Sequence, residues 1–122
     1  MFLLWNIASV VEKTIFEKII SREIPANIVF ENDIAVIIRD INPQAPVHVL
    51  IIPKRRIDRI EAAQDGDVEL LGKLLIMARD FAKSHNLTGF RLVINNGKQA
   101  GETAPHLHIH LLSDRLMGWP PG

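Results

Sequence analysis

The 122-residue chain contains no cysteine. Disulfides and thiolate metal sites are therefore excluded, and the composition suits a reducing cytoplasm. It also lacks net charge: fourteen Lys and Arg balance fourteen Asp and Glu. No global field draws it to nucleic acid or to a membrane surface, so recognition has to come from a pocket. No run reaches the ~20 apolar residues a spanning helix needs. The opening Met1-Phe2-Leu3-Leu4-Trp5 breaks at Asn6, with no positive flank and no small-residue cleavage site, so it does not read as a targeting signal. Residues 1–13 read instead as an apolar extension, packed on the body or on a partner chain, ahead of a single domain over residues 14–122. Internal repeats and low-complexity segments are missing. So are a glycine-rich loop after a strand and any βαβ alternation, which argues against a doubly wound nucleotide fold.

What is present reads in short elements. Thr14-Ile15-Phe16-Glu17 has the capping-box pattern, opening a helix expected to run to about Arg22 and to stop at Ile24-Pro25. Phe16, Ile19 and Ile20 form one apolar stripe. Residues 27–31 and 34–39 are β-branched runs around Asn32-Asp33, a hairpin signal. A proline-stiffened loop, Asp40-Ile41-Asn42-Pro43-Gln44-Ala45-Pro46, leads to a strand over 47–52 that is apolar on both faces and hence central. His48 lies inside it. The Lys54-Arg55-Arg56 turn reads as a solvated loop. From about Asp65 to Ser84, Val68, Leu71, Leu74, Leu75, Ala78, Phe81 and Ala82 keep helical spacing, with His85 as a plain C-terminal residue. Residues 90–95 alternate as a fourth strand. The expected fold is α+β: about five strands in a mainly antiparallel sheet, one long helix and one short.

The most informative stretch is Pro105-His106-Leu107-His108-Ile109-His110-Leu111-Leu112. Strict alternation is the period of a strand, and it places three imidazoles on one face. Same-face neighbours are ~6–7 Å apart, so the outer pair would be ~13 Å apart. A row of that length does not converge on one metal ion. Two of the histidines with His48 or a carboxylate remain a zinc alternative, though no Asp or Glu lies within the strand to orient them. Acid–base and nucleophilic chemistry suits the row better, because imidazole near neutral pH attacks phosphorus and also donates protons. The preceding loop offers backbone N–H groups at Gly101, Glu102 and Thr103 and the Thr103 hydroxyl. Asp40 either accepts from a ribose diol or starts a turn, and the residues alone leave both readings open.

The run His106-Leu107-His108-Ile109-His110-Leu111-Leu112 is similar to the His-φ-His-φ-His-φ-φ signature of the histidine triad (HIT) superfamily, where φ is apolar. Thr14-Ile15-Phe16 through Ile24-Pro25-Ala26, Asp40 through His48, Ile52-Pro53-Lys54 and the ending Trp119-Pro120-Pro121-Gly122 extend the likeness over residues 13–122, toward its Hint branch of purine nucleoside phosphoramidate hydrolases. That resemblance implies a HIT-like fold and cleavage of the P–N bond through a nucleotidyl-histidine intermediate, without a catalytic metal or other cofactor. On this chain His108 is the implied nucleophile, and His110 contacts phosphate and helps protonate the leaving amine. His106 and His48 complete the network. Asn95, Gly101, Glu102 and Thr103 are implied at the phosphate or leaving group, and Asp40 at the ribose. Phe16, Ile19, Ile24 and Ile41 are implied as walls of the purine pocket. A homodimer is implied too, with the tail and Trp119 reaching the partner's site.

Two positions depart from the family pattern. Glu102 replaces a usual Gln, setting a negative charge near an anionic substrate, a repulsion of ~1 kcal/mol or more. Gly118 is smaller than its usual counterpart. Other readings of the chain are a dinucleoside polyphosphate hydrolase of the same superfamily, a non-catalytic nucleotide-binding scaffold and a zinc module.

Overall fold

The computed structural model describes residues 12–122; most of the expected N-terminal extension lies outside them. Helix α1 (Ile15–Ile20) precedes strands β1 (Ile28–Glu31), β2 (Ala35–Arg39) and β3 (Val47–Pro53). Helix α2 (Val68–Ser84) follows, then β4 (Phe90–Val93) and β5 (Ile109–Ser113). The strands form one antiparallel sheet in the order β1-β2-β3-β5-β4, which makes β3 central as its apolar run requires. Among the described residues no helix is long and apolar enough to cross a membrane.

Alternation along the strands divides the core in two. Ala35, Ile37, Val49, Ile51, Leu107, Ile109 and Leu111 face α2 and bury Leu74, Met77, Ala78 and Phe81. Val36, Ile38, Leu50 and Ile52 face the other way and bury Phe16 and Ile19 of α1. His48 and His110 share the parity of Leu50, with which His110 is paired across the sheet. The histidines and α1 therefore occupy the same face, and α2 closes the opposite one.

Several boundaries differ from the sequence expectation. Helix α1 stops at Ile20, before the Ile24-Pro25 step. Arg22 adopts a left-handed φ of 68°, and Glu23 N–H reaches back to the Lys18 carbonyl at 2.8 Å. That is a Schellman closure made by a non-glycine residue. A 3₁₀ turn over Asp65–Asp67 precedes α2, so the helix itself begins at Val68. Val68 is 71% exposed and Leu75 is also exposed, while Met77, absent from the expected stripe, is buried. The basic turn is not simply solvated. Lys54 pairs with Glu31, Arg55 with Asp67, and Arg56 with Glu17 and Asp58. The fourth strand ends at Val93 rather than residue 95.

The largest correction concerns the histidine run. Only Ile109–Ser113 forms a strand, which leaves His106 and His108 outside the ladder. Pairing fails because Pro53, at the end of β3, has no N–H to donate. Its carbonyl accepts from the His106 ring at 2.9 Å, and Leu107 N–H turns to the Ile57 carbonyl at 2.7 Å.

Candidate active site

Hydrogen-bond accounting assigns each imidazole a different task. His106 is fully buried. Its Nε2 faces the Pro53 carbonyl, which can only accept, so Nε2 carries the proton. Nδ1 is then an acceptor for the Thr14 hydroxyl at 2.9 Å. The same Thr14 oxygen accepts from Glu17 N–H as the N-cap of α1, and the Glu17 carboxylate accepts from Thr14 N–H. His106 thus spends both nitrogens tying α1 to the end of β3. Burial lowers its pKa below 6.5, against the opposing pull of the Pro53 carbonyl, and the ring stays neutral.

His108 is oriented differently. Its Nδ1 lies 2.7 Å from the His106 carbonyl oxygen and must donate to it. Nε2 then keeps a bare lone pair. The ring is buried between Phe16, 4.8 Å away centroid to centroid, and His110, 5.0 Å away.

His110 and His48 are read together. Gln44 N–H donates to His48 Nδ1 at 3.0 Å, so the proton of the neutral ring resides on Nε2. That nitrogen lies 2.9 Å from His110 Nδ1 and 3.4 Å from Asp40 Oδ2. His110 Nδ1 accepts, which leaves the His110 proton on Nε2. Burial pushes His110 down to about 4, helped by the positive charge His108 and His48 can carry and opposed by Asp40. His48 is also lowered by burial, against Asp40. Both rings are neutral at pH 7, as these tautomers require.

Asp40 starts a turn, one of the two readings the residues left open. Its Oδ1 accepts from Asn42 N–H at 2.8 Å, closing a turn, while Oδ2 stands toward His48. Asp40, His48 and His110 each bring a donor atom within 4.8 Å of the others, a convergence the run's spacing did not suggest. The set suits a divalent metal poorly, because His48 Nδ1 already accepts an amide proton. A metal on Nε2 would have to displace the ring proton and make an imidazolate.

The loop from Asn95 to Thr103 is compact. Asn95 Nδ2 lies 3.9 Å from where a side chain on Gly101 would begin, and Gly101 has φ 92°, a conformation that favours glycine. Thr103 follows, exposed. The Glu102 carboxylate makes a two-pronged pair with Arg59, at 2.9 Å on both arms, and accepts from Gly97 N–H at 2.9 Å. Arg59 holds it at about 2. The negative charge expected beside the substrate is therefore paired with a guanidinium.

Phe16 and Ile19 are buried and Ile24 packs beside them; Ile19 and Ile24 also border a concavity with Pro25, Ala26 and Ile28. Ile41 stands apart, 97% exposed. Trp119 is 83% exposed, with only the Arg91 guanidinium over its ring at 6.0 Å. The sequence reading missed Thr14 as a histidine partner, the Gln44 amide and Arg59. None of these sits in a pattern that marks it, since each acts across 43 or more residues or through the backbone.

This fold and constellation place the chain in a family. Residues 21–117 match the HIT domain, and the chain belongs to the HIT domain family. It is 53% identical over 112 residues to an uncharacterized HIT-like protein of Synechocystis sp., covering 91% of this chain and 98% of that one. It is 48% identical over 112 residues to the adenylylsulfatase HINT1 of Arabidopsis thaliana, covering 89% and 76%. Among solved structures, a HIT family hydrolase from Legionella pneumophila superposes with a TM-score of 0.88 at 46% identity, covering 90% of this chain and all of that one.

Proposed function

We propose that the protein is a histidine triad hydrolase that cleaves purine nucleoside 5′-phosphoramidates, such as adenylated amines, and releases the nucleoside monophosphate. The observation that carries this reading is the proton pattern of the triad: a bare Nε2 on His108 beside an Nε2–H on His110. In the first step His108 Nε2 bonds to phosphorus as the P–N bond breaks. His108 Nδ1–H keeps its bond to the His106 carbonyl, which steadies the positive charge of the nucleotidyl-imidazole. His110 gives its Nε2 proton to the leaving nitrogen. The leaving nitrogen departs protonated, and the water that cleaves the histidine–phosphorus bond returns one proton. Each turnover thus leaves the histidines unchanged. Asn95, Gly101 and Thr103 hold the phosphate, Asp40 Oδ2 accepts from the ribose, and Phe16, Ile19 and Ile24 border the purine. No step requires a metal or other cofactor.

The test is His108→Ala, assayed with an adenosine 5′-phosphoramidate. Turnover is expected to disappear while adenosine monophosphate still binds; full activity in that variant would exclude the mechanism. Comparison of initial rates on a diadenosine polyphosphate and on adenylyl sulfate identifies the preferred leaving group. The second is a specific rival, because the Arabidopsis relative is an adenylylsulfatase.

The protein is further proposed to work as a homodimer. β4 is an edge strand, and its Phe90, Leu92 and the following Ile94 are exposed, as are Leu75 and Ile76 of α2. Leu92 is paired with Leu111, which faces α2, so these residues lie on the α2 side of the sheet. A second copy joined along β4 would cover both the open edge and these side chains, and would give Trp119 a surface to meet.

A further inference from the structure

Residues 57–61, between β3 and α2, contain no histidine and carry no motif, yet they are stitched to the site at three points. Leu107 N–H, at the head of the histidine run, donates to the Ile57 carbonyl at 2.7 Å. Arg59 grips Glu102 through Nε and Nη2, both at 2.9 Å. Glu61 and Asn96 exchange two bonds, Glu61 N–H to Asn96 Oδ1 at 3.0 Å and Asn96 Nδ2 to Glu61 Oε1 at 3.2 Å. The loop so held closes on itself, because Glu102 N–H donates to the Gly97 carbonyl and Gly97 N–H donates to the Glu102 carboxylate. Asn95, Gly101 and Thr103 sit at the two ends of that closed loop.

We propose that Arg59 and Glu102 are positioning residues that together set the phosphate side of the site: the pair fixes the loop carrying Gly101 and Thr103, and the guanidinium cancels a carboxylate that would otherwise repel an anionic substrate. The role in binding rests on the nucleotide reading above; the mechanical role does not. A two-pronged arginine–carboxylate contact fixes orientation as well as distance. With Gly97 as its third partner the carboxylate has little freedom left. Both functions meet in one pair, and they separate by mutation. Arg59→Gln removes the cation and leaves Glu102 charged. Arg59→Gln combined with Glu102→Gln removes both charges, and an amide at 102 can still accept from Gly97.

The experiment measures adenosine monophosphate affinity at low and high salt, together with amide hydrogen exchange in the unliganded protein. Arg59→Gln is expected to weaken binding roughly tenfold at low salt, as the loss of a charged hydrogen-bond partner does, and added salt is expected to restore part of that loss. The double variant is expected to recover most of the affinity at low salt. A purely structural strut would show neither the salt response nor the recovery. Exchange at Gly97 and Glu102 is expected to accelerate in Arg59→Gln and to stay fast in the double variant, which lacks the two-pronged pair as well. Unchanged affinity and exchange in Arg59→Gln would overturn the proposal. If the native protein does not bind adenosine monophosphate, the nucleotide reading fails and the exchange result still decides the positioning role.

Discussion

His48 Nε2 and His110 Nδ1 stand 2.9 Å apart, and the Gln44 amide on the far side of His48 decides which of them carries the proton. One backbone N–H, in a loop stiffened by Pro43 and Pro46, propagates through two rings. It leaves the His110 proton on Nε2, in a ring 5.0 Å from that of His108, which is held in the opposite tautomer by the His106 carbonyl. Two adjacent histidines of one sequence pattern thus hold opposite tautomers, one with a bare Nε2 and one with an Nε2–H, through different partners.

His48→Ala removes that relay. His110 is then free to place its proton on either nitrogen. We expect kcat to fall by about 10²-fold or more, by analogy with the loss when a catalytic histidine takes the wrong tautomer, with little change in nucleotide affinity. Nitrogen NMR of His110 should show a single Nε2–H tautomer in the native protein and a mixture in the variant. An unchanged tautomer with reduced kcat would detach His48 from this role.

His106 and His108 should fail in different ways. His106→Ala leaves the Thr14 hydroxyl and Pro53 carbonyl without their partner in a buried place, so a loss of about 2–4 kcal/mol in stability is expected. Thr14→Ala, which removes both the cap and the histidine donor, should lose about 1–3 kcal/mol. His108→Ala should lose at least ~10³-fold in kcat with much less destabilisation. Urea denaturation beside steady-state rates separates the two; equal stability losses at 106 and 108 would remove the distinction.

Acid should destabilise the fold in two stages. His48, His106 and His110 all lie below the ordinary 6.5 chiefly because they are buried, His110 at about 4. The unfolded chain therefore binds more protons than the folded one as pH falls from 6.5 toward 4, and stability present above 6.5 declines through that window. Glu102, held at about 2 by Arg59, adds a second decline as pH drops below its ordinary 4.5. Urea midpoints across roughly pH 3 to 8 would show both; a midpoint that stays level from neutrality to about pH 4.5 contradicts the first.

Chelation should not matter. The Asp40, His48 and His110 donor atoms are close, but the Gln44 amide occupies the nitrogen that would have to give up its acceptor role before His48 could bind metal as a neutral ring. Dialysis against a strong chelator is expected to leave phosphoramidate turnover unchanged. Restoration of lost activity by stoichiometric zinc would reverse that conclusion.

The dimer is tested at the edge strand. Leu92→Lys should shift sedimentation from dimer to monomer, because a buried lysine facing a second copy cannot be desolvated cheaply. Retention of the dimer would move the interface elsewhere.

Local patterns determined much of this protein from sequence. Thr14 and Glu17 are close enough to complete a capping box by themselves, the apolar run at 47–52 has to be central, and alternation at 106–112 separates histidines from core residues. Each of those depends on neighbours a few residues apart, which is the range over which backbone geometry constrains side chains. The triad's common face survived even though only His110 lies in the strand. What only the tertiary structure decided was who holds each proton and where each charge is cancelled. Asp40 converges on His48 and His110, Thr14 reaches His106, and Arg59 grips Glu102 because distant elements meet across a folded sheet. The proline at the end of β3 then releases His106 from the ladder to lock α1 in place. Sequence order thus located the histidines, and contacts between remote segments gave each one its chemistry.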